Sequence, residues 1–271
     1  MISFLLPSGD QEFAKYLLDL GDGKIPILRD RGEFKTRIRP ELIIKGKSVQ
    51  NLCDFVFPDL KKNHRKGTWL ASRAIICPTN AEVDSINEVI LKNFPGEERV
   101  YRSSDHVEEN CHNYPMEFIN KLTPPGIPPH RLVLKEHSCV MLLRNLDSAN
   151  GHTNGTRYIV NSLHPHLIEA TVAIGPHAGK KLLIPRIPFV PTESTYPFHM
   201  KRMQLPVRAG FAITANKGQG QSLDAVGILL RRQFFAHGQM FVAQSRVGSA
   251  ERLGILTDDD TCDYVVYPEV L

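Results

Sequence analysis

Apolar residues along this chain change their spacing three times, and each change marks a different kind of element. Phe13 to Leu20 (FAKYLLDL) carries apolar side chains at helical spacing and runs into Gly21-Asp22-Gly23, which predicts a helix with a glycine exit. Residues 21–47 read as loop and short strands, punctuated by Pro26 and Pro40. Val49 to Phe57 predicts a second helix, stopped by Pro58. Arg73 to Cys77 is a short continuous apolar run, and Ala81 to Leu91 then places Val83, Ile86, Val89 and Ile90 on one helical face. Asn80 is the expected N-cap of that helix, with Glu82 and Asp84 in its acidic first turn. A buried strand feeding a capped helix is an α/β unit, and such units bind ligands at the carboxyl edge of their strands.

Residues 95–131 are rich in Pro, Asn, Ser and His and read as a stiff connector without a helix. From Arg131 the period shortens. The runs 131–134, 139–143, 157–160, 167–173 and 181–184 are separated by Asn150-Gly151, Asn154-Gly155, His164-Pro165 and Gly175-Pro176. Short strands with turn chemistry at this spacing predict a small β-barrel. Pro185 to Pro197 reads as a second connector. After it the α/β pattern resumes, with strands at 207–213, 226–230 and 252–256 and a helix from about Phe235 to Ser245. The simplest topology is a β-module inserted into one α/β sheet.

Composition narrows the class without naming a function. The chain has 271 residues, 42% hydrophobic and 23% charged, with no low-complexity tract. No apolar run approaches the roughly 18 residues a membrane span needs, and Met1 to Leu6 lacks the basic leader and length of a secretory signal. Five scattered cysteines without a Cys-x-x-Cys pair point to reduced thiols in an intracellular compartment. Eleven histidines form no His-x-x-x-His pair, so no metal site is expected. The net charge of +4 is concentrated in two clusters: Lys61, Lys62, His64, Arg65 and Lys66, and then Lys201, Arg202, Arg208 and Lys217 with no acid among them. Both fit phosphate-backbone contact, and the first fits a solvated loop equally well.

Candidate chemistry gathers at Phe211 to Leu223, FAITANKGQGQSL. An apolar strand that ends in a polar, glycine-bearing turn brings backbone N–H groups and one lysine to a point, as phosphate sites do. Most such turns only reverse the chain, so this pattern alone decides little. Arg246, at the end of the last helix, is either a C-terminal charge complementing the helix dipole or an arginine finger directed at a transferred phosphoryl group.

The segments PTNAEVDSIN (78–87), VMLLRNLD (140–147), NGTRYIV (154–160), IPRI (184–187), KRMQLPVRAGFAITANKGQGQSL (201–223) and HGQMFVAQSRV (237–247) occur in this order. Together they closely resemble the Pif/RecD-like DNA helicases of superfamily one, with Helitron-type Pif-like helicases the nearest flavour, over nearly the whole chain. The resemblance implies a RecA-like second motor domain of the P-loop-NTPase type, a parallel sheet with flanking helices, carrying an inserted small Src-homology-3-like β-barrel. The implied division is 1–67 as a linker from a first motor domain, 68–131 as the first half of the second, 132–197 as the barrel and 198–271 as the second half.

The resemblance also implies roles. Pro78, Thr79 and Asn80 fall on a motif lining the single-stranded DNA path, and Thr214, Asn216 and Lys217 on the DNA-facing part of the next. Gln219, Gly220 and Gln221 fall on its turn near the nucleotide. Ser245 and Arg246 fall on the last motif, with Arg246 as the catalytic arginine finger. The chain departs from the family's usual pattern at Gly218, where serine is usual, at Gln244, where leucine is usual, and at Asn216, where histidine is usual outside Helitron-type relatives. A buried, unpaired Gln244 amide costs of order 1–3 kcal/mol and would loosen packing near Arg246.

A motor of this class needs Gly-x-x-x-x-Gly-Lys-Ser/Thr and a magnesium-binding acid at a strand end. The one Gly-Lys-Ser, Gly46-Lys47-Ser48, has Glu41 where the first glycine belongs and reads as an ordinary turn. Asp258-Asp259-Asp260 reads as a solvated tail. ATP and Mg²⁺ are therefore expected as cofactors of a full-length enzyme, held mainly by a first motor domain that this chain lacks, with Met1 about where the family's third motif ends. The expected function is the C-terminal motor domain of an ATP-dependent DNA helicase acting in repair, recombination, telomere maintenance or Helitron transposition, without ATPase activity of its own. The alternative is a non-enzymatic single-stranded-DNA-binding remnant of a transposon-derived helicase. Expected partners are single-stranded DNA or DNA junctions, with no membrane and no obligate protein partner, in the nucleus or, alternatively, the mitochondrion.

Overall fold

A computed structural model describes residues 10–107, 114–191, 196 and 198–266. Cys111 and Pro197 lie outside the described residues. The chain divides into two compact units: Met1–Leu60, Ser72–Ile90 and Phe211–Leu271 form the first, and Lys61–Ala71 with Leu91–Gly210 the second.

The first predicted helix is α1 (Gln11–Gly21), which buries Phe13, Leu17 and Leu20. Asp10 caps it, its carboxylate accepting from Phe13 N at 2.9 Å, which satisfies one of the orphan donors of a helix start. After β1 (Lys35–Arg37) comes α2 (Val49–Val56). Ser48 caps α2 in a reciprocal arrangement with Asn51. Gly46-Lys47-Ser48 is therefore no isolated turn: a helix stands directly behind it, and its serine is spent on the cap. Two short helices follow, α3 (Leu60–Asn63) and α4 (Gly67–Ala71), then β2 (Arg73–Cys77) and α5 (Asn80–Asn93). The cap of α5 is Thr79, not Asn80. The Thr79 hydroxyl accepts from Glu82 N at 3.3 Å and donates to the Glu82 carboxylate at 2.7 Å.

The expectation of a stiff connector without a helix over 95–131 is overturned. The segment holds β3 (Glu98–Arg102), β4 (Ser104–Val107) and α6 (Met116–Lys121). Its polar composition hid the strands because they alternate faces: Tyr101 and Val107 are buried while Val100, Arg102 and His106 are not. The predicted strand series then appears as β5 (Arg131–Lys135), β6 (Cys139–Leu142), β7 (Arg157–Leu163), β8 (Leu167–Val172) and β9 (Lys181–Pro185). It continues through β10 (Ile187–Phe189), β11 (Met200–Gln204) and β12 (Val207–Ala209). One antiparallel sheet runs β12-β6-β7-β8-β9, with β3-β5 and β10-β11-β4 as separate ladders. Tyr158, Val160, Ile168, Ile184 and Leu205 close the core of this unit.

The apolar run 207–213 is two strands rather than one. Val207–Ala209 pairs antiparallel with β6, and the chain bends at Gly210, where a Cβ would meet the Val140 carbonyl carbon at 3.0 Å. It then enters β13 (Ala212–Thr214), followed by α7 (Ala215–Gly218), β14 (Ala225–Leu230), α8 (Gln239–Gln244), β15 (Leu253–Thr257) and β16 (Thr261–Asp263). The parallel sheet of the first unit has the order β13-β2-β14-β15. Gly227 and Gly254 are register partners in it. A Cβ on Gly227 would lie 2.6 Å from Leu52, and one on Gly254 2.8 Å from Phe55, so these glycines let α2 approach the sheet closely. At the open edge, the buried Asn87 side chain of α5 accepts from Ala212 N at 2.9 Å and donates to Ala212 O at 3.2 Å. It satisfies backbone groups that would otherwise be orphaned.

The acidic triplet is a turn rather than a tail. It joins β15 to β16, which pairs antiparallel with β1, and Asp260 meets Arg31 at 3.0 Å. Cys53, Cys77, Cys139 and Cys262 are buried free thiols, and burial pushes Cys53 and Cys262 up to about 12. Among the described residues no helix is long and apolar enough to cross a membrane.

Candidate nucleic-acid interface

The β2 and β13 strands run parallel, with Cys77 opposite Thr214. The segments that follow them, Pro78–Asn80 and Thr214–Lys217, therefore leave the sheet at the same carboxyl edge. Pro78 is buried, Thr79 half-buried and Asn80 exposed, so this segment presents its polar end outward. Thr214 begins α7 without using its hydroxyl as a cap. Asn216 and Lys217 are exposed, though protein packed on one side of the Lys217 ammonium partly desolvates it and pulls its pKa below the ordinary lysine value.

Gly218 is buried, yet a Cβ there would meet only Ile213 and Ile76 at 3.5–3.6 Å. That is ordinary contact, so the serine usual at this position fits the space. Gly220 has φ +78° with open space around it, a backbone that only glycine adopts cheaply. It turns the chain so that the Gln221 amide donates to Lys217 O at 2.8 Å.

The last helix meets this turn directly. Leu223 N donates to Arg246 O at 2.8 Å. Arg246 is 9% exposed, and its guanidinium donates to Val242 O at 2.8 Å, to the Ser245 hydroxyl at 2.7 Å and to Gln221 O at 3.4 Å. All these partners are uncharged, and burial lowers the Arg246 pKa from its usual value. The arginine is folded back over its own helix end. Gln219 and Gly220 are exposed. Gln244 is 1% exposed, as the amphipathic pattern requires. Its amide hydrogen-bonds to Tyr16, while its Oε1 has no partner among the described residues.

One residue that the sequence reading passed over joins these pieces. Gln239, at the start of α8 and 7% exposed, donates to Asn216 Oδ1 at 3.4 Å and accepts from Phe235 N and Ala236 N at 3.3 and 3.2 Å. A glutamine after a glycine carries no periodic signal of such a bridge.

The basic clusters separate. Lys61, Lys62, Arg65 and Lys66 are exposed, while His64 is half-buried with its ring 5.8 Å from Phe94. In the second cluster Arg202 is not a surface cation at all. It is fully buried, with Asp105 at 2.7 Å.

Comparison with known proteins agrees with this architecture. The family described as DNA helicase Pif1, 2B domain, matches residues 117–163, from within α6 to the end of β7. Over 202 residues the chain is 31% identical to the ATP-dependent DNA helicase PIF1 of Xenopus laevis and 32% identical to that of Danio rerio, covering 70% of this chain and 28% of each relative. The chain thus spans little more than a quarter of the length of these relatives. Among solved structures it is similar to Pif1 helicase from Bacteroides in complex with ADP-AlF3 and ssDNA, with a TM-score of 0.53 at 22% identity over 98% of this chain and 62% of that one. The Pif1 helicase from Candida albicans gives a TM-score of 0.53 at 21% identity over 78% and 53%. At these identities the structural likeness shows the fold.

Proposed function

We propose, from the premise that this chain is Pif1-like and corresponds to the C-terminal part of such a helicase, that it is a second motor domain coupling single-stranded DNA to a nucleotide. DNA lies on the Thr79–Asn80 and Thr214–Lys217 side of the sheet edge and nucleotide on the Gln219–Gln221 side. The observation that carries this reading is a continuous hydrogen-bonded path: Asn216 to Gln239, Lys217 to Gln221, and Gln221 and Leu223 to Arg246. On this reading a displacement at one end would be passed through these bonds to the other. Strands β5 to β9 are taken as the small Src-homology-3-like insertion.

The relatives are named as ATP-dependent, and the fit of this chain to a nucleotide is one-sided. Arg246 offers a guanidinium whose present partners are all uncharged oxygens, so an added phosphate would meet no competing carboxylate there. A bound nucleotide would supply the phosphoryl-transfer chemistry. Ser245 would keep the guanidinium oriented, and the buried setting would strengthen its field. No group of His, Cys, Asp and Glu able to hold a metal occurs among the described residues, and no segment has the Gly-x-x-x-x-Gly-Lys-Ser/Thr pattern. On this reading Mg²⁺ belongs with a first motor domain. DNA unwinding, with roles in repair, recombination, telomere maintenance or transposition, is proposed for the whole helicase rather than for this segment.

The test is a titration of labelled oligo(dT) with the purified chain, beside an ATP-hydrolysis assay. Binding in the micromolar range or weaker is expected, falling steeply with salt, with Lys217→Ala reducing the salt slope by about 0.7. No ATP hydrolysis is expected. Absence of binding at low salt defeats the DNA half of the reading. DNA-stimulated hydrolysis abolished by Arg246→Ala defeats the claim that the nucleotide site is incomplete here.

A further inference from the structure

Phe235 is 69% exposed, the most exposed of the large hydrophobic side chains among the described residues. A single exposed apolar residue is ordinary on a protein surface, so exposure alone says nothing. The surroundings of this one are specific. Arg231 and Arg232, both exposed, precede it where β14 leaves the sheet, and β14 is the parallel neighbour of β2, which leads into Pro78–Asn80.

The segment is firmly held. Phe234 is buried at 2% exposure, and the Gln233 carbonyl Oε1 accepts from Asp263 N at 2.9 Å. Gln239 grips the Phe235 and Ala236 amides while its other end reaches Asn216. A ring held outward on an anchored backbone, one side chain away from a candidate DNA-contacting asparagine, loses little further freedom on binding. Two of the three acids in the turn after β15 are engaged by other cations: Asp259 and Asp260 lie 3.8 and 3.0 Å from Arg31, and Asp260 3.6 Å from Arg37.

We propose that Phe235 is a base-stacking platform for single-stranded nucleic acid, with Arg231 and Arg232 on the flanking phosphates and Gln239 as the positioning residue. The inference rests on the sheet edge being a DNA-binding edge and extends it to a segment not assigned to that role. An aromatic ring accepts any base through its π-face, and arginines track the backbone without reading sequence.

The experiment compares binding of oligo(dT) with binding of an abasic strand of equal length. Phe235→Ala should weaken oligo(dT) binding about fivefold or more while leaving the abasic strand and the salt slope unchanged. Phe235→Trp should restore the affinity. Arg231→Gln with Arg232→Gln should lower the salt slope by about 1.4 on both strands. The proposal is overturned if Phe235→Ala leaves oligo(dT) binding intact or weakens both strands equally. If Lys217→Ala weakens binding while Phe235→Ala is silent, only this inference fails. If the unmodified chain binds neither strand, the DNA-binding reading of the whole edge fails with it.

Discussion

The two units bury arginines to opposite ends. In the second unit Arg202 donates to both oxygens of Asp105 and to the carbonyls of Ile119, Leu122 and Pro128. It thereby neutralises a buried acid and ties the end of α6 to the Pro128 backbone. Arg157, in the same unit, ties Ala71 O and Gly210 O together from a fully buried position. In the first unit Arg246 is nearly as buried, yet its partners are neutral oxygens, and its charge is left without a carboxylate. A buried cation answered by an acid is a structural fastener, because removing either partner strands a charge. Neutral partners alone do not mark a ligand site, since Arg157 is tied down by two carbonyls. Arg246 differs in also reaching Gln221 O in the glycine-bearing turn, which on the reading proposed above leaves its field for a ligand. The presence of an acid, rather than the depth of burial, separates Arg202 from Arg246.

That contrast breaks or sharpens under substitution. The largest effect is expected from Asp105→Ala, which leaves Arg202 buried without its acid and should cost about 3–5 kcal/mol in chemical denaturation of the second unit. Arg246→Ala should cost less, about 1.5–3 kcal/mol, because hydrogen bonds to neutral acceptors are lost and no charge is left behind. Equal losses from the two substitutions would erase the distinction. Gly218→Ala should be stabilising by about 0.4–1 kcal/mol, since the Cβ fits and the helical backbone needs no glycine. A loss of stability there would show that the turn beside Lys217 tolerates less than its packing indicates.

The smallest effect concerns pH. Burial, more than any neighbouring charge, lowers the His130 pKa below its ordinary value; Asp105 opposes the shift, while Arg202 and Arg102 add to it. Its ring also contacts the Ser103 hydroxyl at 2.8 Å. The folded state then binds the proton less readily than the unfolded chain, so stability falls as pH drops below the unfolded value of about 6.5. His130→Gln should flatten denaturation midpoints between pH 7 and pH 5.5, and an unchanged slope would remove His130 from the account.

Much of the fold was legible where a single periodicity ruled. The β2–α5 unit and the strands β5 to β9 follow directly from continuous or alternating apolar runs bounded by turn residues. The 95–131 segment was illegible because its strands are short and half-polar, and their partners β5 and β11 lie far along the chain. The split at Gly210 was hidden for a related reason. One apolar run serves two sheets, and only the close approach of the Val140 backbone marks the break. At the candidate site, the motif residues were readable as a string, whereas Gln239 and the stowed posture of Arg246 were not.

By itself the sequence determined the element types where one periodicity ruled, the glycine-bearing turn after β13 and the ordered segments that resemble one helicase family, because these depend on neighbours a few residues apart. The tertiary structure decided what each cation is for. Lys201 and Arg202 are adjacent in a basic stretch, but strand alternation sends Lys201 out and Arg202 in, opposite an aspartate 97 residues away. A charge takes its role from whatever lies within a few ångströms, and in a sheet those neighbours come from strands that sequence distance does not reveal.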